Sequence, residues 1–340
     1  MPLLPSGAAL PICGLGTFKS KGEECTAACL AGLQTGYRLI DTARVYRNEA
    51  EVGLALQQSN VPREEIFVTT KIPPTEQGEV AAYDAVLSSL RQLAVDYIDL
   101  VLIHWPGKAK TPLDSPANQE ARRGSWRALI RAQREGMVRD IGVSNFTVAH
   151  LQDLCFQAPA SAADRDSCAL PAVNQVECHP LCVQRELRAL CADRGIALQA
   201  YSPLCCGDAE VYGHPQMQAL LASVREASAG AVCTPPQLLL LWGLQQGLSV
   251  IPKSASRVRL QENWAFMQRV LHDMAPVEAP PGARIGDEDI ACEGQTLALP
   301  VLPVLPVLPA LPVLPEDCLA GLRGSGGEDR HLCWDPRKVL

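Results

Sequence analysis

Several features that mark other protein classes are missing from this chain. Basic residues are outnumbered, 30 Lys and Arg against 37 Asp and Glu. The net charge of -7 argues against a broad nucleic-acid-binding surface and leaves room only for a local cationic site that takes a small anion. Met1 to Leu10 has neither the basic n-region nor the apolar h-region of a secretory leader. Nothing therefore assigns the 14 cysteines to an oxidising compartment, and a reduced, cytoplasmic chain is expected. The paired CxxC spacing of a zinc site is absent. Cys25 with Cys29, and Cys178 with His179 and Cys182, come nearest to it, and no metal is expected. No membrane span is expected either: Leu297 to Leu314 is apolar throughout, but proline at every third position removes backbone donors and breaks any helix. Polyproline II geometry has that three-residue period.

What is present is an alternation. Strand-like runs occur at Gly14 to Phe18, Tyr37 to Asp41, Ile66 to Lys71, Tyr97 to His104, Val138 to Val143, Ala172 to Val176, Ile196 to Tyr201 and Leu248 to Pro252. Between them lie helical spacings at Glu23 to Thr35, Glu49 to Gln58, Glu79 to Leu93, Gln119 to Arg134, Val148 to Phe156, Gln184 to Asp193 and Pro236 to Gln245. Gly36, Gly136, Gly195 and Gly247 suit helix C-termini, and a short apolar N-terminal run suits a hairpin. Eight strands alternating with helices over roughly 250 residues predict a closed (β/α)8 TIM barrel. An open dinucleotide-binding sheet would carry G-x-G-x-x-G after its first strand, and Gly14 and Gly16 lack the third glycine. The expected organisation is a barrel over 1–266, an irregular proline-rich insert over 267–313, and a resumed C-terminal helix and tail over 314–340. Nine of the 27 prolines fall between Pro276 and Pro315, which locates the compositional anomaly in that insert.

In such a barrel, reactive groups collect at the C-terminal ends of the strands. The second strand ends at Asp41 with Tyr46 in the next loop, the third at Lys71 and the fourth at His104. Each residue alone has a structural explanation: a cap, rim packing, a solvated tip or a satisfied core histidine. Their placement on successive strand ends points instead to a tyrosine acid. Lys71 would lower the phenol of Tyr46, Asp41 would hold Lys71 charged, and His104 would orient a carbonyl oxygen.

The motifs carry a family resemblance. Leu39 to Glu49 (LIDTARVYRNE) resembles the aldo-keto reductase signature, as do Thr70-Lys71, Ile103 to Pro106, Ile141 to Phe146, Asn174 to Glu177, Ala200 to Leu204 and Ile251 to Ser254, all in family order. The resemblance implies reduction of aldehydes and ketones with NADPH by the tetrad Asp41, Tyr46, Lys71 and His104. It further implies that Ser144, Asn145 and Gln175 bind the nicotinamide carboxamide and that Tyr201 stacks on the ring, with Ser202 beside it. Gly16 and Thr17 would lie against the cofactor, and Phe18 and Trp105 would line the substrate pocket. Lys253, Ser254 and Arg259, close to a helix start, suit the adenosine 2′-phosphate, and Glu262 and Asn263 the adenine. His179-Pro180 is read as structural. A small-molecule carbonyl is the expected partner and a monomer the expected state.

The chain departs from the pattern at Ala158 to Ala169, expected as a surface insert, and again after Phe266. Leu314 to Leu322 and His331 to Pro336 look like the family's last helix and tail resumed. Two other readings stay open: a catalytically impaired splice or gene-model variant that still binds NADPH, and a cofactor-sensing subunit like the potassium-channel β subunits. The chain begins almost at the barrel, without the long extension such subunits use.

Overall fold

The computed structural model describes residues 1–155, 169–228, 230–273, 313–322 and 329–333. Eight parallel strands pair in sequence order: β1 (Leu15–Gly16), β2 (Leu39–Asp41), β3 (Phe67–Ile72), β4 (Ile98–Ile103), β5 (Val138–Ser144), β6 (Val173–Glu177), β7 (Ala197–Tyr201) and β8 (Ser249–Val250). The two edges of this sheet meet. Gly14 N–H donates to the Val250 carbonyl at 2.9 Å, Val250 N–H donates to that of Ile12 at 2.8 Å, and Gly16 bridges Lys253. The result is the (β/α)8 barrel that the alternation predicts.

Parallel strands in a barrel are covered on both faces, so they read as continuous apolar runs instead of alternating ones. All six residues of β4 are buried. Its one charge, Asp99, is held by Arg63 at 2.7 Å and Arg139 at 3.1 Å. The helices α1 (Gly22–Thr35), α2 (Glu49–Gln58), α3 (Glu79–Leu93), α4 (Ala117–Arg134), α5 (Val148–Cys155), α6 (Arg185–Asp193), α7 (Ala209–Gly213), α8 (Pro215–Ala227), α9 (Pro235–Gln245) and α10 (Arg257–Asp273) surround the strands. Helix α1 stops at Gly36, whose φ of 126° only glycine adopts readily and where a side chain would strike the Trp264 ring.

The core has two layers. Ile40, Val101 and Ile103 point outward under the helices, whereas Leu39, Phe67, Leu100, Leu102, Val173 and Ala197 fill the barrel with Leu4 and Leu10. Leu4 and Leu10 come from an N-terminal hairpin closed by a Leu3–Ala9 bridge, which plugs one end of the barrel. A strand's side chains alternate with a period of two. From inward Leu39, Phe67 and Leu102, that period carries Asp41, Lys71 and His104 to the inner face at the opposite end. From Val173 and Ala197 it does the same for Gln175, Glu177, Gln199 and Tyr201.

Some elements differ from the sequence reading. Helices α7 and α8 were not anticipated; the Asp208 side chain caps the first, and His214 followed by Pro215 starts the second. Helix α10 continues past Phe266 to Asp273, because Met267 and Val270 also face the core. Residues 314–322 form turns ending in one 3-10 turn, Ala320–Leu322, in place of a resumed helix. That suffices to bury Leu314, Leu319 and Leu322. The Val-Leu-Pro segment up to Pro312, all of the expected surface insert but Ala169, and Trp334 to Pro336 lie outside the described residues. Among the described residues no helix is long and apolar enough to cross a membrane.

Candidate active site

The four strand-end residues converge at the C-terminal end of the barrel. Lys71 is fully buried, and its Nζ donates to Asp41 Oδ1 at 2.6 Å and to the Thr42 carbonyl at 2.8 Å. Tyr46 closes the 3-10 turn Arg44–Tyr46, with its ring centroid 5.2 Å from Lys71 Nζ and 5.7 Å, edge-on, from the His104 ring. Among the described residues, His104 Nδ1 is buried with no hydrogen-bond partner.

The electrostatics depart from expectation at one point. Burial lowers the Lys71 ammonium from its ordinary value, and Asp41 opposes this. Burial, then the Lys71 charge, puts His104 well below the ordinary imidazole range, so its ring is neutral at neutral pH. The sequence reading has Lys71 lowering Tyr46; in the structure burial, and then the negative charge of Asp41, raise its phenol well above the ordinary value. The physical reason is burial of the ring first, joined by the negative charge of Asp41, while Asp41 and the Thr42 carbonyl engage the Lys71 ammonium. Tyr46 therefore keeps its proton across the neutral range.

A hydrogen-bonded line links the far side of the mouth to Asp41. The Tyr201 hydroxyl donates to Asn145 Oδ1 at 2.8 Å, and Asn145 Nδ2 donates to the His104 carbonyl at 2.9 Å and to Ser144 Oγ at 3.2 Å. Ser144 Oγ donates to the Gln175 carbonyl at 2.8 Å. Gln175 Nε2 donates to Asp41 Oδ2 and to Gln199 Oε1, both at 2.7 Å. With both amide hydrogens committed, the side-chain oxygen is what Gln175 has left to offer. Gln199 and Thr42 are not evident from the sequence reading, although the inward register of Gln199 and the place of Thr42 next to Asp41 mark them. Thr17 Oγ1 donates to the Asp41 carbonyl at 2.9 Å, and Gly16 N–H to that of Pro252 at 3.1 Å. Phe18 lies 5.1 Å from Tyr46 and is 49% exposed, and Trp105 is half-buried after β4.

On the β8 side, Lys253 and Ser254 precede α10, and Arg259 lies in its first turn. Ser256 N–H donates to Ser254 Oγ at 3.1 Å and Arg259 N–H to Ser256 Oγ at 3.4 Å. Lys253, Arg259 and Glu262 are exposed, whereas Asn263 is buried. Lys253 and Arg259 thus face solvent beside the N-terminus of α10.

Glu177 at the end of β6 ties down the C-terminal segment. Its Oε1 accepts from Leu332 N–H at 2.7 Å, Cys333 N–H at 3.0 Å and His179 Nε2 at 3.1 Å, and its Oε2 from His331 Nδ1 at 2.9 Å. Burial alone would raise this carboxyl, but the hydrogen bonds from His179 and His331 outweigh it and bring it down to about 2. His179 is fully buried in this contact. Glu177, Cys182 and His331 also present their donor atoms within 4.8 Å of one another, a trio that the sequence spacing concealed. Their hydrogen bonds to one another and to the tail account for that arrangement.

The model of the aldo/keto reductase family matches residues 13–275, which include this whole constellation apart from the tail. The chain belongs to that family. Among curated aldo-keto reductases and related enzymes, the glyoxal reductase of Bacillus subtilis is 40% identical over 264 residues, covering 76% of this chain and 84% of the relative. The methylglyoxal reductase of Escherichia coli is 37% identical, covering 77% and 87%. The glycerol 2-dehydrogenase (NADP(+)) of Saccharomyces cerevisiae is also 37% identical, covering 76% and 84%. An aldo-keto reductase from a Medee basin deep-sea metagenome library superposes with a TM-score of 0.67 at 37% identity, covering 78% of this chain and 89% of that one.

Proposed function

We propose that this aldo-keto reductase reduces aldehydes and ketones to alcohols, with NADPH as the hydride source and Tyr46 as the proton donor. The observation that carries the reading is the convergence of a protonated phenol and a neutral imidazole beside a buried Lys71–Asp41 pair, at the barrel end where reactive groups collect. The relatives named for glyoxal and methylglyoxal favour small ketoaldehydes among the substrates. The proposal takes the enzyme as a cytoplasmic monomer, in keeping with the free thiols among the described cysteines.

The residues present suit NADPH. Gln175, Asn145 and Ser144 form a polar row of the kind a carboxamide needs, and the Tyr201 ring is held in place by its bond to Asn145. Lys253 and Arg259 at the start of α10 suit a 2′-phosphate. When bound, the nicotinamide supplies a hydride to the carbonyl carbon. The chain's own residues do the rest. His104 offers an N–H to the carbonyl oxygen and orients it. Tyr46 passes its phenolic proton to that oxygen as negative charge develops there, and Lys71 stabilises the phenolate left behind. Asp41 keeps Lys71 in place, and Phe18 and Trp105 form the aromatic edge that excludes water from the carbonyl.

Titrating NADPH while following tryptophan fluorescence and thermal midpoint tests the cofactor assignment. Saturable quenching and a raised midpoint are expected. Lys253→Ala and Arg259→Ala should each weaken NADPH about tenfold, the worth of a charge-assisted hydrogen bond of roughly 1.5 kcal/mol. NADH, which lacks the 2′-phosphate, should be unaffected by either change. Equal weakening of both dinucleotides would remove the 2′-phosphate from the assignment, and no saturable binding would remove NADPH.

A further inference from the structure

Of the twelve cysteines described, only Cys206, Cys233 and Cys333 are exposed, and two of these three lie together. The chain leaves β7 through Ser202 into the 3-10 turn Cys205–Gly207, where Cys206 has a left-handed φ of 56°. Cys333 is brought to it from the C-terminal segment. That segment is pinned on both sides: Asp329 accepts from Val183 N–H and Gln184 N–H at 2.8 and 2.9 Å, and Glu177 accepts from Leu332 and Cys333 N–H. The two sulfurs are 3.8 Å apart, with Ser202 Oγ 3.3 Å from Cys333 Sγ and 3.5 Å from Cys206 Sγ. Cys333 N–H is bonded to Glu177 at the end of β6, and Ser202 directly follows Tyr201 at the end of β7, so both thiols lie at the barrel end that holds the tetrad. The pair therefore sits at the mouth of the catalytic site.

We propose that Cys206 and Cys333 are a peroxide-responsive pair whose disulfide straps the C-terminal segment to the loop after β7, across the mouth of the site. A disulfide needs the sulfurs to close to about 2.05 Å, a movement of roughly 1.8 Å that rotation of two exposed side chains supplies. The roles within the pair are unequal. The Cys333 hydrogen bond to Cys206, opposed by burial and joined by the Ser202 hydroxyl, brings the Cys206 thiol down to about 6, while the same bond raises Cys333. Cys206 is thus the thiolate at neutral pH and Cys333 the resolving thiol. With hydrogen peroxide as oxidant, the Cys206 thiolate attacks one oxygen, the O–O bond breaks, and a sulfenic acid and hydroxide form. The Cys333 sulfur then attacks the Cys206 sulfur, the S–O bond breaks, its oxygen leaves as water with the Cys333 proton, and the S–S bond forms. The thiol pair loses two electrons, and the peroxide gains them.

The strap's effect on turnover rests on the proposed reductase function, whereas the crosslink is read independently of it. The full chain is treated with equimolar hydrogen peroxide, its remaining thiols are alkylated, and its peptides are mapped by mass spectrometry without reduction. The expected product is a Cys206–Cys333 peptide lacking two hydrogens, with Cys233 still alkylated as the exposed control. Cys206→Ser should yield no crosslink, and Cys333→Ser should leave a Cys206 sulfenic acid that a 1,3-dione traps. Carbonyl reduction should fall severalfold in the oxidised protein and return with dithiothreitol, and Cys333→Ser should show no thiol-reversible loss from a crosslink. Oxidation of Cys206 to sulfinic acid beside a free Cys333 would overturn the proposal, as would a crosslinked enzyme with undiminished turnover. Absence of turnover in the reduced protein would count against the reductase reading, and the peptide map would still decide the crosslink.

Discussion

Replacing Lys71 by methionine should be costly in a way that its fold position makes calculable. Lys71 is 0% exposed and Asp41 is 3% exposed, so the ammonium is the principal neutraliser of a carboxylate shut off from water. Removing one partner of a buried ion pair costs about 3–5 kcal/mol, because the other charge is left uncompensated. Asp41 Oδ2 keeps the Gln175 amide at 2.7 Å, which favours the lower end, about 3 kcal/mol. Against a typical total stability of about 5–15 kcal/mol, the variant remains folded but unfolds at distinctly lower denaturant. The double variant Lys71→Met with Asp41→Asn removes both charges and should be more stable than Lys71→Met alone. Equilibrium unfolding in urea of the parent, both single variants and the double variant measures the coupling directly. A Lys71→Met cost under about 1 kcal/mol, or a double variant equal to the sum of the singles, would refute the buried-pair account.

Two further outcomes follow from the same electrostatics. The folded protein keeps His104 neutral while the unfolded chain takes up a proton near pH 6.5, so its contribution is intact above that pH and falls below it by up to about 1.4 kcal/mol per pH unit. His104→Asn should flatten the dependence of the unfolding free energy on pH below about 6.5; an unchanged slope would contradict the neutral assignment. Glu177 works in the same direction at lower pH. Held near 2 against 4.5 when free, it contributes about 3 kcal/mol at neutral pH, and this is lost as pH falls from about 4.5 towards 2. Glu177→Ala should remove that acid limb and speed amide exchange at Leu332 and Cys333, whereas protection retained at both amides would show that another contact holds the tail.

Much of this was legible in the sequence because parallel strands announce themselves as apolar runs and a period of two fixes what they present. Leu39 inside implies Asp41 inside, and the same counting brings Lys71 and His104 to the same end. The direction of the Tyr46 shift was not legible. It depends on how fully Asp41 and the Thr42 carbonyl occupy Lys71 and on how deeply the ring is buried, and spacing reports neither. Contacts between distant segments were hidden for a similar reason. Glu177 reads as a family strand residue until its bonds to Leu332 and Cys333 are seen, and Cys206 and Cys333 share no motif. Leu314 to Leu322 resembles the family's last helix, and the three-residue spacing of Leu319 and Leu322, which an α-helix and a 3-10 turn satisfy equally, does not distinguish the turn that forms there. Pro215 marks the first turn of helix α8, but its burial rests only on Met217, Leu221 and Val224 among many polar neighbours, too sparse a pattern to announce a helix.

Tyr46→Phe tests the central claim most directly. It removes one hydroxyl and preserves the ring that meets Phe18 and His104. The measurement is carbonyl-dependent oxidation of NADPH, followed by its near-ultraviolet absorbance, beside NADPH affinity from fluorescence titration. The account predicts a fall in turnover of at least about a hundredfold, the usual worth of a positioned general acid, with NADPH affinity unchanged. Turnover at the parent rate in Tyr46→Phe would contradict it.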